Sequence, residues 1–413
     1  LIARRKRIGI THMVAEQSVT ANLKAFAHEL GFELVGIAPA VTPTGVSHLY
    51  EWIERGFAGE MSYIPRRAAA YEHPRHVLSS VRSVVMVGWN YKSAEPSSSG
   101  PNDGRIARYA WGGADYHDEL RARLQRLADQ LHELSPGCKT RIVVDTAPLL
   151  ERDFARLAGL GWFGKNTLLI HKRLGSFLFL GALLTDVELI TDEPFETTHC
   201  GTCTRCLDVC PTHAFPEPFV LDARKCISYL TIELKSQIPV ELRTGMGEWL
   251  FGCDLCQDVC PWNRKSPVST ETTWQPSAEL NPASALNILQ MTAAEFDATF
   301  STTPLARPGW HGLRRNAAIV LGNHGDEESI PALIKVLNDD SPLVRGAAAW
   351  ALGELLCRVC RVFEANQFVG NEAVRLEDSA NPTRTIKAAL QARLAVEDNP
   401  DVVAELKAAL EVA

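Results

Sequence analysis

Residues 200–211 read CGTCTRCLDVCP and residues 252–263 read GCDLCQDVCPWN. The first run spaces Cys200, Cys203, Cys206 and Cys210 as C-x2-C-x2-C-x3-C-P, the spacing of bacterial 4Fe-4S ligand runs. The second is an incomplete copy with Cys253, Cys256 and Cys260, and Cys226 in the intervening KCISYL supplies the missing member. Eight thiolates within one segment is the number that two cubane clusters require, four each. Because the fourth Cys of such a run commonly ligates the other cluster, one cluster is assigned to Cys200, Cys203, Cys206 and Cys260. The other is assigned to Cys210, Cys226, Cys253 and Cys256.

Structural zinc and disulfides are the competing readings. Zinc ligands come as two pairs across a longer loop, and three thiols at successive x2 spacings suit a cube better than one ion. Disulfides need an oxidising compartment, and the basic opening LIARRKRIG has no apolar run behind it that would make it a signal peptide. A cytoplasmic location without a membrane span is expected. Met13 is a possible start, which would leave the first dozen residues as an arm.

The chain has 413 residues, 46% of them hydrophobic, and a formal net charge of −7. This length accommodates two or three domains, and a polyanionic partner would need a local basic patch. Working outward from the cysteines, residues 19–190 read as an α/β domain. Ala21–Leu30 is expected as a helix, Phe32–Ala38 as a strand, His48–Arg55 as a helix and Val84–Val87 as a buried strand. The polar stretch 93–104 reads as an unordered loop. Leu120, Leu124, Leu127, Leu131 and Leu134 recur at helical spacing and mark a core-facing helix.

In RIVVDTAPLLERDFARLAGLGWFGKNTLLI, residues 141–170, Arg141–Val144 reads as a strand with Asp145 at its carboxyl end, before a turn and helix. Such ends are where α/β sheets place reactive groups. On the residues alone, a helix N-cap and a catalytic acid are equally good readings of Asp145. Lys165 stands in a lone GKN without a Walker pattern around it. With Gly175 and Ser176, this stretch offers amides and a cation to a polar ligand.

Residues 191–265 form the ferredoxin-like 4Fe-4S domain and 266–304 a polar linker. From residue 305 the chain repeats: RRNAAIVLGN from Arg314 aligns with RGAAAWALGE from Arg345, setting Gly322 over Gly353, 31 residues on. Pro342 finds its counterpart in Pro400, which leaves an insert near 356–382 carrying Cys357 and Cys360, read as ordinary free thiols. Helix pairs at this period are HEAT-type α-solenoid units, so 305–413 is expected as a HEAT-like domain. Arg314, Arg315 and Arg345 are expected on one side of that solenoid as a basic ridge.

Taken together, DTAPLLER, AGLGWFGKN, the eight-Cys segment with KCISYLT and CQDVCPWN, and RRNAAIVLGN resemble the epoxyqueuosine reductases. That resemblance implies a multidomain α/β plus α enzyme using cobalamin and two 4Fe-4S clusters. It would reduce epoxyqueuosine to queuosine at the tRNA wobble position, the last step of queuosine synthesis. It further implies an N-terminal corrinoid-binding domain, with Asp145 as proton donor and corrinoid contacts from Asp145, Arg152, Lys165, Asn166, Ser176 and Ser228. The anticodon stem-loop would be gripped by the helical tail, here through Arg314, Arg315 and Arg345. Electrons would come from an external flavodoxin or ferredoxin, and the chain would act as a monomer. Asp115–His117 begins the corrinoid pattern D-x-H-x-x-G but Leu120 breaks it, so a base-off cofactor is expected. Tyr71 stands where relatives often have Arg, which shifts one expected contact to Arg66 or Arg67. A reductive dehalogenase-like corrinoid enzyme and a non-catalytic electron-transfer or scaffold protein are the alternatives. The first lacks an export signal here, and the second leaves DTAPLLER and GKN without a role.

Overall fold

The computed structural model describes residues 17–368 and 382–411. The chain divides into two compact units, each assembled from three segments. Residues 1–94, 112–224 and 254–275 make the first, and 95–111, 225–253 and 276–413 the second. No helix among the described residues is long and apolar enough to cross a membrane.

The first unit is built on a four-stranded sheet in the order Leu34–Pro39, Ser83–Asn90, Leu178–Thr185, Thr140–Val143, antiparallel throughout. This differs from the parallel sheet for which the strand-end rule was framed, though Asp145 does follow the carboxyl end of a strand. Every residue of Ser83–Asn90 is buried, as its run of Val, Met and Trp requires of a central strand covered on both faces. The helix Tyr116–Leu134 packs one face with Leu120, Leu124, Leu127 and Leu131, each fully buried. On the other side, Phe154, Ala155 and Ala158 of the helix Glu151–Leu157 and its end join Leu34, Val84, Met86 and Leu184 in one core.

Trp89 extends this packing. Its ring meets Phe32 and Trp274 edge-on at 6.1 and 4.7 Å, and the Arg123 guanidinium lies 3.6 Å from its centroid. Trp274 belongs to the expected linker 266–304, which is folded structure instead. Ser269 donates its N–H to the Lys92 carbonyl at 2.6 Å, Trp274 is 2% exposed, and helices span Ala285–Gln290 and Ala293–Phe300. The second helix opens on a capping box between Thr292 and Glu295. Polar composition concealed these local signals.

In the second unit a small sheet pairs Asp103–Ile106 in parallel with Trp249–Phe251 and antiparallel with Ala283–Ser284. The expected loop 93–104 therefore ends in a strand. The helices Gly309–His324, Pro342–Phe368 and Pro400–Glu411 pack successively. The repeated glycines make this possible: a Cβ on Gly322 would lie 2.9 Å from Ala351 Cα, and one on Gly353 would lie 3.0 Å from Ala409 Cα. The insert expected from Leu356 begins as an uninterrupted continuation of the helix Pro342–Phe368. Cys357 is half-buried; the side chain of Cys360 and all of 369–381 lie outside the described residues.

Candidate active site and cluster ligands

The strand Thr140–Val143 runs into Val144, which is buried, and then into Asp145 at φ 57°. Left-handed backbone is uncommon outside glycine and is tolerated best by Asn and Asp. The following helix begins at Glu151, with Leu150 at its N-cap. Asp145 is therefore not a helix cap. Its N–H donates to Glu151 Oε1 at 2.8 Å, and its carboxylate Oδ2 lies 3.2 Å from His117 Nε2. The other ring nitrogen, Nδ1, is 2.6 Å from Asp115 Oδ1. Asp115 also caps the helix Tyr116–Leu134 by accepting the His117 N–H at 3.0 Å.

An imidazole is thus suspended between two carboxylates. Burial opposes its charging, but the hydrogen bonds that the ring donates to Asp115 and Asp145 outweigh burial and raise the His117 pKa above the ordinary value. Beside it, desolvation and then the Asp145 charge push the Glu151 carboxyl up to about 7. The Asp145 side chain itself is 45% exposed. Arg67 Nη1 donates to the Thr146 carbonyl at 3.2 Å, fixing the same loop. Nearby Tyr71 has its hydroxyl pKa raised by burial, against the Arg67 charge. This arrangement can present one outward carboxyl and hold a proton behind it on His117. Sequence reading treated Asp115 and His117 as a broken motif and passed over Glu151; the Glu six residues after Asp145 was the available signal.

The other expected corrinoid contacts are largely engaged with the protein. Lys165 Nζ donates to the carbonyls of Gly201 and Cys203 at 2.8 and 3.0 Å, so it braces the first cysteine run. Asn166, 3% exposed, donates to the Cys256 carbonyl at 3.5 Å. Ser176 donates its N–H to Asn263 Oδ1 at 2.6 Å, and its hydroxyl accepts from Asn263 Nδ2 at 2.9 Å. Arg152 is exposed and donates to the Thr167 carbonyl at 2.5 Å. Ser228 stands in the second unit, on the helix Ile227–Ile232, where its carbonyl accepts from Thr231 Oγ1 at 3.2 Å.

In the first unit the Cys206 thiol is pushed up to about 11 by burial and by Cys200, Cys260 and Cys203 beside it. Cys260 is raised in turn by burial and by Cys200 and Cys203. The last cysteine of the second run is therefore within electrostatic reach of the first three of the first run, and Cys200 packs against the apolar group that includes it. Four thiolates so close would repel one another in the absence of a cationic centre, and such crowding suits an iron cluster. Trp162, Ile170 and Trp262 pack around Cys260. Cys210 and Cys256 also lie in the first unit, and the Ala214 N–H donates to Cys210 Sγ at 3.3 Å. Cys226 and Cys253 belong to the second unit.

The arginines expected to face RNA are internal. Arg315 is fully buried and donates to the carbonyls of Leu230, Leu234 and Ser236 at 2.8, 2.9 and 2.8 Å. Arg314, 6% exposed, bonds the Leu289 carbonyl and Asp339. Arg345, 7% exposed, forms a two-pronged pair with Glu397 at 2.8 and 2.7 Å. Equivalent positions do repeat a role, but the role is to tie successive helices together, and these three buried arginines do not form the expected basic ridge.

An α+β unit with an exposed aspartate backed by histidine, in a chain carrying eight thiols at double-cluster spacing, has the equipment of an iron–sulfur oxidoreductase. Residues 199–263 match the family described as 4Fe-4S double cluster binding domain, and 312–358 match HEAT repeats. Residues 72–146, which include Asp115, His117 and Asp145, match the family Epoxyqueuosine reductase QueG, DUF1730. The epoxyqueuosine reductase of Pseudomonas aeruginosa is 38% identical over 336 residues, 80% of this chain and 93% of its own. That of Escherichia coli (strain K12) is 37% identical over 340 residues, 81% of this chain and 89% of its own. Among solved structures, an epoxyqueuosine reductase with a tRNA-Tyr epoxyqueuosine-modified stem loop superposes with a TM-score of 0.84 at 28% identity, covering 96% of this chain and 98% of that one. A Bacillus subtilis epoxyqueuosine reductase, whose aspartate catalytic loop is swung out of the active site, superposes at 0.81 with 28% identity, covering 96% and 99%. The chain belongs to the epoxyqueuosine reductase family.

Proposed function

We propose that this oxidoreductase reduces epoxyqueuosine to queuosine in tRNA, with Asp145 as the acid. The observation that carries the reading is the exposed Asp145 carboxyl, held in left-handed backbone and hydrogen-bonded to His117, within the stretch that matches the family. Converting the epoxide to an alkene consumes two electrons and two protons and releases the oxygen as water. Asp145 delivers a proton to that oxygen as the C–O bond breaks, which turns a poor leaving group into a neutral one. His117, poised to carry charge by its two carboxylate partners, resupplies Asp145. Glu151 and Arg67 hold the loop so that the carboxyl points outward. The loop displacement named for the Bacillus subtilis relative makes this pinning relevant to the reaction.

Cys200, Cys203, Cys206 and Cys260 would hold one 4Fe-4S cluster, and Cys210, Cys226, Cys253 and Cys256 the other. Support comes from the double-cluster family match and, for the first set, from the crowding of its thiols. Cobalamin, implied by the family resemblance, would supply low-potential electron transfer to the ring carbon. The residues suited to face it are Asp145 and the exposed Arg152, whose guanidinium has five N–H groups. Lys165, Asn166 and Ser176 support it indirectly, by bracing the cysteine runs and Asn263.

The test is anaerobic turnover of an epoxyqueuosine-bearing stem-loop RNA with dithionite, read by mass as loss of one oxygen atom. Asp145→Asn is expected to keep iron and corrinoid content and lose roughly 100-fold or more in rate. Near-normal turnover by that variant would remove the proton donor from the mechanism.

A further inference from the structure

On the first unit a groove of about 460 Å³ is lined by Arg205, Asp208, Val209 and, from the second run, Asp258, Cys260 and Arg264, with Val259 and Pro261 between them. Its walls are the two cysteine-bearing turns themselves. Cys260, one of the four crowded thiols, is part of the wall, so an electron arriving here crosses only the wall before reaching a cluster ligand.

The groove also has the composition of a contact surface. Val209, Val259 and Pro261 give it apolar surface beside charged groups of both signs. Arg205 and Arg264 are exposed, as is Lys265. Lys172 and Arg173 are exposed on the turn His171–Gly175, which leads into the Ser176 bonded to Asn263, the neighbour of Arg264. The groove itself balances two arginines against two aspartates, and Lys265, Lys172 and Arg173 beyond it make the surrounding surface positive in a chain of net charge −7. The two acids have local roles: Asp208 accepts from Thr204 Oγ1 at 2.8 Å, and Asp258 has an interaction partner. Two aspartates inside the groove disfavour a phosphate backbone, whereas a folded protein carries charges of both signs to meet them.

We propose that this groove docks a small acidic redox protein that feeds single electrons to the cluster of Cys200, Cys203, Cys206 and Cys260. The inference rests on the cluster assignment and reaction given above. Each epoxide needs two electrons, so two reduced donors dock in succession. Each leaves oxidised by one electron, while the protons come from the Asp145 side and leave in the water formed.

The experiment compares wild type with the charge-reversed pair Arg205→Glu/Arg264→Glu, and with Arg205→Ala/Arg264→Ala as a milder control for folding. Turnover of the epoxyqueuosine stem-loop is driven either by dithionite, which needs no docking, or by a reduced bacterial flavodoxin. The expected result is unchanged iron content, unchanged dithionite-driven rate and unchanged RNA affinity. With flavodoxin, the donor KM should rise about 10-fold or more and its dependence on salt should flatten, as steering is lost. The alanine pair should show the same effects, smaller. An unaltered donor KM and salt dependence in both pairs overturns the proposal, as does failure of wild type to turn over with reduced flavodoxin. Loss of RNA affinity with the donor KM intact also overturns it and makes the groove an RNA surface. Failure of wild-type turnover with dithionite would instead sink the functional reading itself.

Discussion

Asp145 is kept in place by a neighbour that ionises close to neutrality. Glu151 accepts the Asp145 N–H, yet desolvation and the Asp145 charge lift its carboxyl from 4.5 to about 7. The folded protein therefore binds this proton more tightly than the unfolded chain does. Stability falls as pH rises from about 4.5 to about 7 and then levels off. Glu151→Gln retains an acceptor for the Asp145 N–H but cannot ionise. The thermal midpoint of the variant relative to wild type should accordingly be higher near pH 8 than near pH 5. An equal difference at both values would show that Glu151 does not titrate where desolvation places it. Asp145 was visible in the sequence as a strand-end acid, but its partners were not. His117 lies 28 residues earlier, and only the antiparallel sheet and the capped helix that follows Asp115 bring it to the site.

At the scale of elements, the helical tail shows why a repeat can be read correctly while its side chains are misread. Gly322 and Gly353 were legible because close helix approach demands a small residue at each recurrence. Arg314 and Arg345 recur for the same reason, as internal ties, and a cation on a helix looks the same in sequence whether it is solvated or buried. Their acids were nevertheless in view: Asp339 stands three residues before Pro342, and Glu397 three before Pro400. The hydrogen bond from Arg345 does most to bring the Glu397 carboxyl down to about 2. A depressed acid stabilises the fold above its unfolded pKa, and that contribution disappears as pH falls from about 4.5 towards about 2. Arg345→Ala should cost about 1.5–3 kcal/mol near neutral pH, because Glu397 loses its two-pronged partner and keeps only Arg393 and the Asn399 N–H. The loss should shrink in acid. A loss below about 1 kcal/mol at neutral pH, typical of surface pairs, would return this arginine to the solvent.

Across the whole molecule, the proposed cluster ligation joins stretches far apart in the chain. Cys260→Ala should strip iron from the site of Cys200, Cys203 and Cys206 and leave about half the total iron, while Cys210→Ala should damage the other site. Iron counting with electron paramagnetic resonance on the two variants distinguishes this from losses confined to each sequence run, which would refute the exchange. The cysteine spacing marked the double-cluster segment, and residues 199–263 match that family. The division of the chain into six alternating segments was not readable, because contact between distant stretches leaves no local mark on composition or periodicity.

That alternation governs the order in which the protein can be made. The first unit draws its last segment from residues 254–275, and Trp274 completes the aromatic packing on Trp89 and Phe179. A nascent chain emerging from the ribosome must therefore hold the sheet of its first 185 residues with an open flank until well over half the polypeptide has been synthesised. Domains built from one continuous segment close as they emerge. Here Trp274 and the fourth thiol of the proposed first cluster arrive only with the last segment of the unit, so loading of that cluster waits until the chain past Cys260 has emerged.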